Sequence, residues 1–396
     1  MRVRLTNSTL ERDALLAQDI DLSTDIILDI PDTSQHILLT GATGFLGVFL
    51  LRSLLERTSA KIYCLVRSKE NKSGEERLKE LLKQYQLQKQ VDYSRFIAVE
   101  GDLEQPSLGM SEEDYETLSG LIDTIYHNGA LVNYVYPYAA LKKANVTATE
   151  DILRFAVKKR LKPVHYVSTM FVFSGKDYVG EPVIKEDYPP VNGTEVNMGY
   201  GQSKWVAEKM MRLASEKGIP ATILRIGRIS GDTLNGFCQT KDFLWGIIRT
   251  CFHVGCRPEL DIHINISPVD FVSDAIVSIA SDKEAWGKAF HILNPESVTF
   301  DNMFDMLSEL GYNLEKLPFE EWKTRVLRFS ENSADTSHEL LIRTLEQLDL
   351  NNTNRVYDMS HSLTFLKKTS VSCPAIDKEL LAKYLKYFMD IGFIKP

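Results

Sequence analysis

The sequence predicts an α/β protein, a doubly wound parallel Rossmann sheet with a smaller, mostly helical part after it. Three observations carry this expectation. Apolar, strand-like runs alternate with helical patterns from residue 36 to about 231. The first of these runs enters a glycine-rich turn, ILLTGATGFLG (37–47). From about Asn235 the alternation weakens and helical patterns take over. Strands that are apolar throughout are buried on both faces, the habit of parallel strands joined by helical crossovers.

The elements follow in order. Residues 1–35 are polar and acid-leaning, with Pro31 just before the first strand, and read as a linker or short lead-in helix. HILLT (36–40) is the first strand, and GFLGVFLLRSLLER continues with helical spacing. KIYCLV (61–66) is the second strand, followed by the amphipathic GEERLKELLKQYQ. RFIAVEGD (95–102) and LIDTIYHNGA (121–130) are the third and fourth. A helix from about 137 to 159 leads to PVHYVST (163–169), and ATILRIGRISG (221–231) is the sixth strand with its exit loop. Beyond it FLWGIIRTC, FVSDAIVSIA, FEEWKTRVLRF and KELLAKYLKYFMDIGF have helical patterns, while AFHILN (289–294) resembles a short strand. The expected division is a lead-in over 1–35, a dinucleotide-binding domain over 36–234 and a substrate part over 235–396, with some strands returning to the main sheet.

Composition narrows the classes of function. The 396 residues are 44% hydrophobic and 25% charged, ample for a large core. A net charge of -8 gives no electrostatic support for a nucleic-acid partner. No apolar run approaches the ~20 residues of a membrane span, and the opening MRVRLTNSTLERD lacks the apolar core of a signal peptide. Cys64, Cys238, Cys251, Cys256 and Cys373 are scattered and odd in number, which suits reduced thiols in a cytoplasm. Cys251, His253 and Cys256 lack an evident fourth ligand, so no metal is expected.

The glycines of the turn, Gly41, Gly44 and Gly47, are spaced GxxGxxG. The first permits the tight turn, the second lets backbone approach a pyrophosphate, and the third lets helix and strand pack closely. Thr43, Phe45 and Leu46 share the turn and the helix start, whose N–H groups favour phosphate. The second strand ends in Arg67, where an acid would bind the ribose 2′-hydroxyl. A guanidinium suits a 2′-phosphate, with Arg77 or Lys69 assisting, so NADPH is the expected cofactor. A solvated charge cluster is the plainer alternative. Asp102 and Leu103 end the third strand where adenine would lie. Asn128, Gly129 and Ala130 end the fourth where the cofactor should pass, although simple packing explains a Gly-Ala turn equally well.

Tyr200 and Lys204 in YGQSK are four apart and share a helical face. A lysine ammonium beside the phenol is expected to lower the tyrosine pKa from about 10, and to hydrogen-bond the nicotinamide ribose. Thr169, at the end of the fifth strand, is the candidate donor to a substrate carbonyl alongside Tyr200, with Ser168 second. Tyr134, Tyr136 and Tyr138 line a substrate pocket or pack in the core; the residues leave both open.

These motifs resemble the extended short-chain dehydrogenase/reductases, and within them the thioester reductase domains of nonribosomal peptide synthetases and of aminoadipate and carboxylic acid reductases. The resemblance runs from about Ile37 to the C-terminus. It rests on LLTGATGFLG, LVR, GD (101–102), YHNGALVN, NVTATE (145–150), YVSTMFVF, YGQSKWVAE and the closing KYLKYFMDIGFIKP. It implies that Thr169, Tyr200 and Lys204 are the catalytic set and that Arg67 and Arg77 bind phosphate. It further implies NADPH-dependent reduction of an acyl or peptidyl thioester on a phosphopantetheinylated carrier protein, to an aldehyde or onward to a primary alcohol. The acidic lead-in would suit a tether from such a carrier in a multidomain synthetase. A fatty acyl-CoA or carbonyl reductase and a nucleotide-sugar epimerase or dehydratase share the superfamily and stay open on sequence.

Overall fold

Seven parallel strands form the central sheet of the computed structural model, which describes residues 7–22, 26–69, 71–175, 178, 181–196, 198–331, 338, 341, 342, 345 and 355–395. The first six are β1 (His36–Thr40), β2 (Lys61–Val66), β3 (Phe96–Glu100), β4 (Thr124–His127), β5 (Val164–Thr169) and β6 (Ala221–Ile226). The seventh strand is Ala289–Ile292, paired with β6 in the register Ala289↔Ile223. Across the sheet the order is seventh strand, β6, β5, β4, β1, β2, β3. The order reverses between β1 and β4, and in an open parallel sheet that switch point is where a nucleotide binds.

The chain divides into two compact units. The first comprises Met1–Gly227, Val272–Ile292 and Tyr357–Val371, and holds the sheet. Helix Phe45–Arg57 joins β1 to β2 and buries every residue from Leu46 to Leu55, which is why its sequence reads as almost continuously apolar. Helix Gly74–Gln84 joins β2 to β3 and buries only Leu78 and Leu82; Ser73 and Glu76 close its start as a reciprocal capping box. Helix Glu112–Leu121 claims the first residue of the segment expected as the fourth strand. Asp123 accepts the Gln35 and His36 N–H groups at 2.8 and 3.0 Å, and strand pairing begins only at Thr124. Between β4 and β5 the helical run 138–157 contains a π-turn, Lys143–Thr147.

The lead-in packs on this unit. Helix Asn7–Asp13 and the turn after it bury Leu10, Ala14 and Ile20 completely. Asp13 accepts the Tyr138 hydroxyl at 2.8 Å and pairs with Lys142 at 2.9 Å; Glu11 pairs with Lys209, and Asp19 with Arg154 at 2.7 Å. Its acidic bias is matched by cations of the helices it covers.

The second unit comprises Arg228–Phe271, Leu293–Val356 and Ser372–Pro396. Its core gathers Trp245, Trp322, Phe300, Phe304, Tyr384 and Phe388 from helices Phe243–Val254, Phe300–Glu309, Phe319–Glu331 and Lys378–Asp390. Three two-stranded pairings complete it, Arg228–Ser230 with Ile266–Pro268, Cys256–Pro258 with Glu315–Leu317, and His263–Ile264 with Val298–Thr299. Cys251 and Cys256 are buried in this core. Among the described residues no group of three or more His, Cys, Asp or Glu side chains is arranged to hold a metal. No described helix is long and apolar enough to cross a membrane.

Candidate functional site

At the switch point the turn after β1 is shaped by what cannot fit there. Gly41 has φ +71°, and a Cβ on it would lie 2.7 Å from the Gly129 Cα. A Cβ on Gly47 would lie 1.9 Å from the Gly41 carbonyl oxygen. Gly44 is the N-cap of helix Phe45–Arg57 and supplies no side-chain cap; the first intrahelical bond is Val48 N–H to the Gly44 carbonyl at 3.1 Å. The N–H groups of Phe45, Leu46 and Gly47 therefore open the helix without an intrahelical acceptor, the arrangement that takes a phosphate. Thr43 is half-buried beside them.

The loop after β4 fixes this turn. Asn128 donates its amide to the Gly41 carbonyl at 3.3 Å, and the Gly129 N–H donates to Thr40 Oγ1 at 2.9 Å. Leu103 packs on Gly129, its Cδ1 2.4 Å from where a Cβ would stand. His127 locks the arrangement from below. The Thr149 hydroxyl gives its proton to the Asn145 carbonyl at 2.7 Å, so His127 Nε2 must be the donor in its 3.2 Å contact with Thr149. Nδ1 is then free to accept from Thr40 at 2.9 Å. Burial pushes His127 down to about 3, which keeps it neutral in this role. Thr40 and His127 were not legible as site residues; their alternation within strands reads as core.

At the end of β2 the structure brings Arg67, Arg77 and Asp102 together. Arg77 donates to the Arg67 carbonyl, and the Arg67 guanidinium stands 3.9 Å from Asp102 with 64% of its side chain exposed. A pair so loose and exposed contributes little, and it leaves the guanidinium available to a stronger anion. Asp102 is also occupied locally, accepting the Glu104 N–H at 2.9 Å. Lys69 forms an isolated bridge with Lys72 in the same loop, and Ala130 continues the β4 loop.

Helix Met198–Glu216 carries Tyr200, Lys204 and Glu208 at successive turns, all buried. Lys204 Nζ donates to the Val167 carbonyl of β5 at 2.6 Å and lies 4.1 Å from the centroid of the Tyr166 ring. Burial pushes Lys204 down to about 7, opposed by the Glu208 charge. Tyr200 departs from the sequence expectation: its phenol is raised, by burial first and by Tyr134 second. Desolvation disfavours the phenolate, and Lys204, whose Nζ is given to the Val167 carbonyl, does not offset it. Thr169 ends β5 half-buried, with its Oγ1 accepting the Phe171 N–H at 3.2 Å. The neighbouring Ser168 points elsewhere, its hydroxyl given to Glu208 at 2.7 Å.

The three tyrosines of the β4 loop part company. Tyr134 sets its ring edge-on to Tyr200, centroids 5.7 Å apart at 83°, and also meets Phe171 at 6.0 Å. Tyr136 is exposed, and Tyr138 is buried with its hydroxyl on Asp13. Leu131, Val132, Tyr134, Val135 and Tyr136 together form an exposed apolar lip beside Tyr200. Asn133 holds it by accepting the Val135 and Tyr136 N–H groups, both at 2.8 Å. Asn145, from the π-turn, grips Leu131 at both its N–H and its carbonyl and donates to Ser203 on helix Met198–Glu216 at 2.9 Å.

A Gly-rich turn opening a helix at the switch point of a parallel sheet defines an NAD(P)-binding protein of the Rossmann class. The family described as male sterility protein matches residues 39–276. A linear gramicidin synthase polypeptide of Brevibacillus parabrevis is 39% identical, aligned over 99% of this chain and 8% of its own length. The L-2-aminoadipate reductase of Schizosaccharomyces pombe is 30% identical over 96% of this chain and 28% of its own. The chain thus spans a minor part of these curated relatives. Among solved structures, the terminal R domain from the myxalamid PKS-NRPS biosynthetic pathway is 40% identical with a TM-score of 0.91, over 98% of this chain and 99% of that one. The chain belongs to the male sterility protein family of NAD(P)-dependent reductases, in the branch of terminal reductase domains of nonribosomal peptide synthetases.

Proposed function

We propose that this chain uses NADPH to release an acyl or peptidyl group from its thioester on the phosphopantetheine arm of a carrier protein, as an aldehyde. The observation that carries the reading is the buried Tyr200–Lys204 pair, one helical turn apart against the end of β5. The cofactor's fit is supported by the uncapped helix start at Gly44 and by the close packing of the turn's own backbone at Gly41 and Gly47, which leaves no room for a Cβ. The preference for NADPH rests on Arg67, which follows β2 where an acid would bind the ribose 2′-hydroxyl, with Arg77 beside it.

Bound NADPH would supply the hydride to the thioester carbonyl carbon. The remaining work falls to the chain's own side chains. Tyr200, held as a phenol by burial, donates its proton to the developing alkoxide, and the Thr169 hydroxyl shares that oxygen. Lys204 holds the nicotinamide ribose and replenishes the Tyr200 proton. The hemithioacetal then loses its C–S bond, the sulfur leaving as the pantetheine thiol with a proton and the carbon remaining as an aldehyde. The lip of Leu131, Val132, Tyr134 and Val135 offers the acyl group an apolar wall next to the reacting carbon.

The test is NADPH consumption with an acyl-pantetheine thioester, the matching aldehyde and a nucleotide sugar as parallel substrates, with products identified by mass spectrometry. Thioester turnover to aldehyde or alcohol is expected, and the product counts the electrons. Turnover of aldehyde alone would replace the reading by a carbonyl reductase.

A further inference from the structure

Behind the catalytic helix lies a fully buried ion pair that the reaction as written does not use. Glu208 and Arg225 are both wholly inaccessible. The guanidinium meets the carboxylate at 2.7 Å through Nη2 and at 3.2 Å through Nε. Arg225 is fixed by further contacts: it donates to the Glu186 and Tyr188 carbonyls at 2.9 and 2.7 Å and meets His291 Nε2 at 3.0 Å, and its plane lies 4.6 Å from the centroid of the Phe173 ring. Glu208 also accepts Ser168, and Arg212 adds a second cation at 3.5 Å. Such a pair is costly to desolvate, and an apolar pair of like volume commonly serves stability as well. Its position suggests what it does instead. Glu208 stands one helical turn beyond Lys204 and is bonded to the β5 residue just before Thr169.

We infer that Glu208 is a positioning residue for the reduction: anchored by Arg225 and bonded through Ser168 to β5, it holds the catalytic helix in register with Thr169 and sets its negative charge one turn from Lys204. The inference rests on the catalytic roles proposed above for Tyr200, Lys204 and Thr169. Geometry supports both tasks: Lys204 and Glu208 are one helical turn apart and reach adjacent residues of β5, Lys204 the Val167 carbonyl and Glu208 the Ser168 hydroxyl, while Arg225 and Arg212 hold the carboxylate. Burial raises the carboxyl, but Arg225, Arg212 and Ser168 together bring it below the ordinary value, so it stays ionised. Arg225 and Arg212 are cations and oppose the ammonium, so only part of the Glu208 charge reaches Lys204; the histidines and tyrosines of the neighbouring elements are uncharged. His127 on β4 and His291 on the seventh strand are each pushed down to about 3 by burial and stay neutral. Tyr166 on β5 and Tyr200 are raised by burial and stay protonated, and Tyr134 faces Tyr200. Glu186, raised by burial, lies on the far side of Arg225.

The sign follows. Removing the negative charge weakens the ammonium, so Lys204 loses its proton at lower pH and activity fails earlier as pH rises. The experiment records kcat and KM against pH for the wild type, Glu208→Gln and Glu208→Asp with NADPH and an acyl-pantetheine thioester, alongside thermal melts. The basic limb of kcat in Glu208→Gln is expected to move down by about one pH unit, the low end of the effect of one nearby charge, because Arg225 and Arg212 offset part of it. Glu208→Asp should return it toward the wild-type position, and KM for the thioester should change little in either. Should Glu208→Gln fail to fold, the double variant E208Q/R225M removes the buried pair together, and because the Arg225 cation that opposes the ammonium goes with it, the limb is expected to move down by less than loss of the Glu208 charge alone would move it. A folded variant without the charge that keeps the wild-type limb, losing rate equally at all pH values, would overturn the inference. If the wild type itself does not reduce thioesters, it is the proposed function that fails.

Discussion

Arg67 and Tyr200 are the residues on which the proposed cofactor choice and chemistry turn. Charge-assisted hydrogen bonds contribute about 1.5–3 kcal/mol, so Arg67→Ala is expected to weaken NADPH binding about 10- to 100-fold and to leave NADH nearly unaffected. Titration of the two nucleotides by fluorescence checks this, and equal loss of both would remove Arg67 from the 2′ position. At this scale the sequence was legible where a local pattern has a chemical meaning. Gly41, Gly44 and Gly47 announce a phosphate turn, and Tyr200 with Lys204 announces an acid/base pair. It was silent where meaning arises only across the fold. Glu208 sits in the same YGQSKWVAE run, in the i+4 register after Lys204, but its partner Arg225 comes from β6 and nothing local links them. Tyr200 is also the residue whose expected pKa shift took the opposite sign, because neighbours in sequence do not report how deeply a side chain is buried.

Among the elements, the turn from β1 into helix Phe45–Arg57 is the most tightly determined. Gly47→Ala would drive a methyl group into the Gly41 carbonyl. Overpacking of that kind costs about 1–3 kcal/mol of stability, so the melting temperature is expected to fall, and the displaced turn is expected to bind NADPH more weakly. Isothermal titration together with a thermal melt separates the two; unchanged affinity would mean that the turn does not cradle the cofactor. Strands β1, β2 and β5 were legible within a residue because each is a continuous apolar run. β4 was read too long, since helix Glu112–Leu121 and the Asp123 side chain hold residues that look strand-like. The π-turn at Lys143–Thr147 left no mark in the periodicity, yet it places Asn145 where it clamps both the Leu131 lip and Ser203. Irregular turns of this type often mark function.

For the whole molecule, folding draws on groups that must stay uncharged. His127, His165 and His291 are each pushed down to about 3, in every case by burial first. Unfolded histidines bind protons below about 6.5, so between there and about 3 the unfolded chain holds more protons than the folded one. Stability is therefore full above pH 6.5 and is lost as pH falls through that window. Denaturant melts at pH 7 and pH 5 should show the loss, and His165→Phe should reduce its slope; a flat profile would contradict the buried neutral state. The alternation of strands and helices made the sheet legible at this scale. The return of a strand to the main sheet was legible in AFHILN and is seen at Ala289–Ile292. The inclusion of helix Val269–Ala280 from Val272 on and of Tyr357–Val371 in the first unit was not, because it depends on long-range packing. The packing of Leu10, Ala14 and Ile20 was hidden for the same reason. The central claim is that Tyr200 gives its proton to a thioester carbonyl as hydride arrives. Single-turnover NADPH oxidation by wild type and Tyr200→Phe on an acyl-pantetheine thioester tests it most directly. A fall of about 10²- to 10⁴-fold in the hydride-transfer rate, with NADPH affinity retained, is the predicted result; an unchanged rate would contradict it.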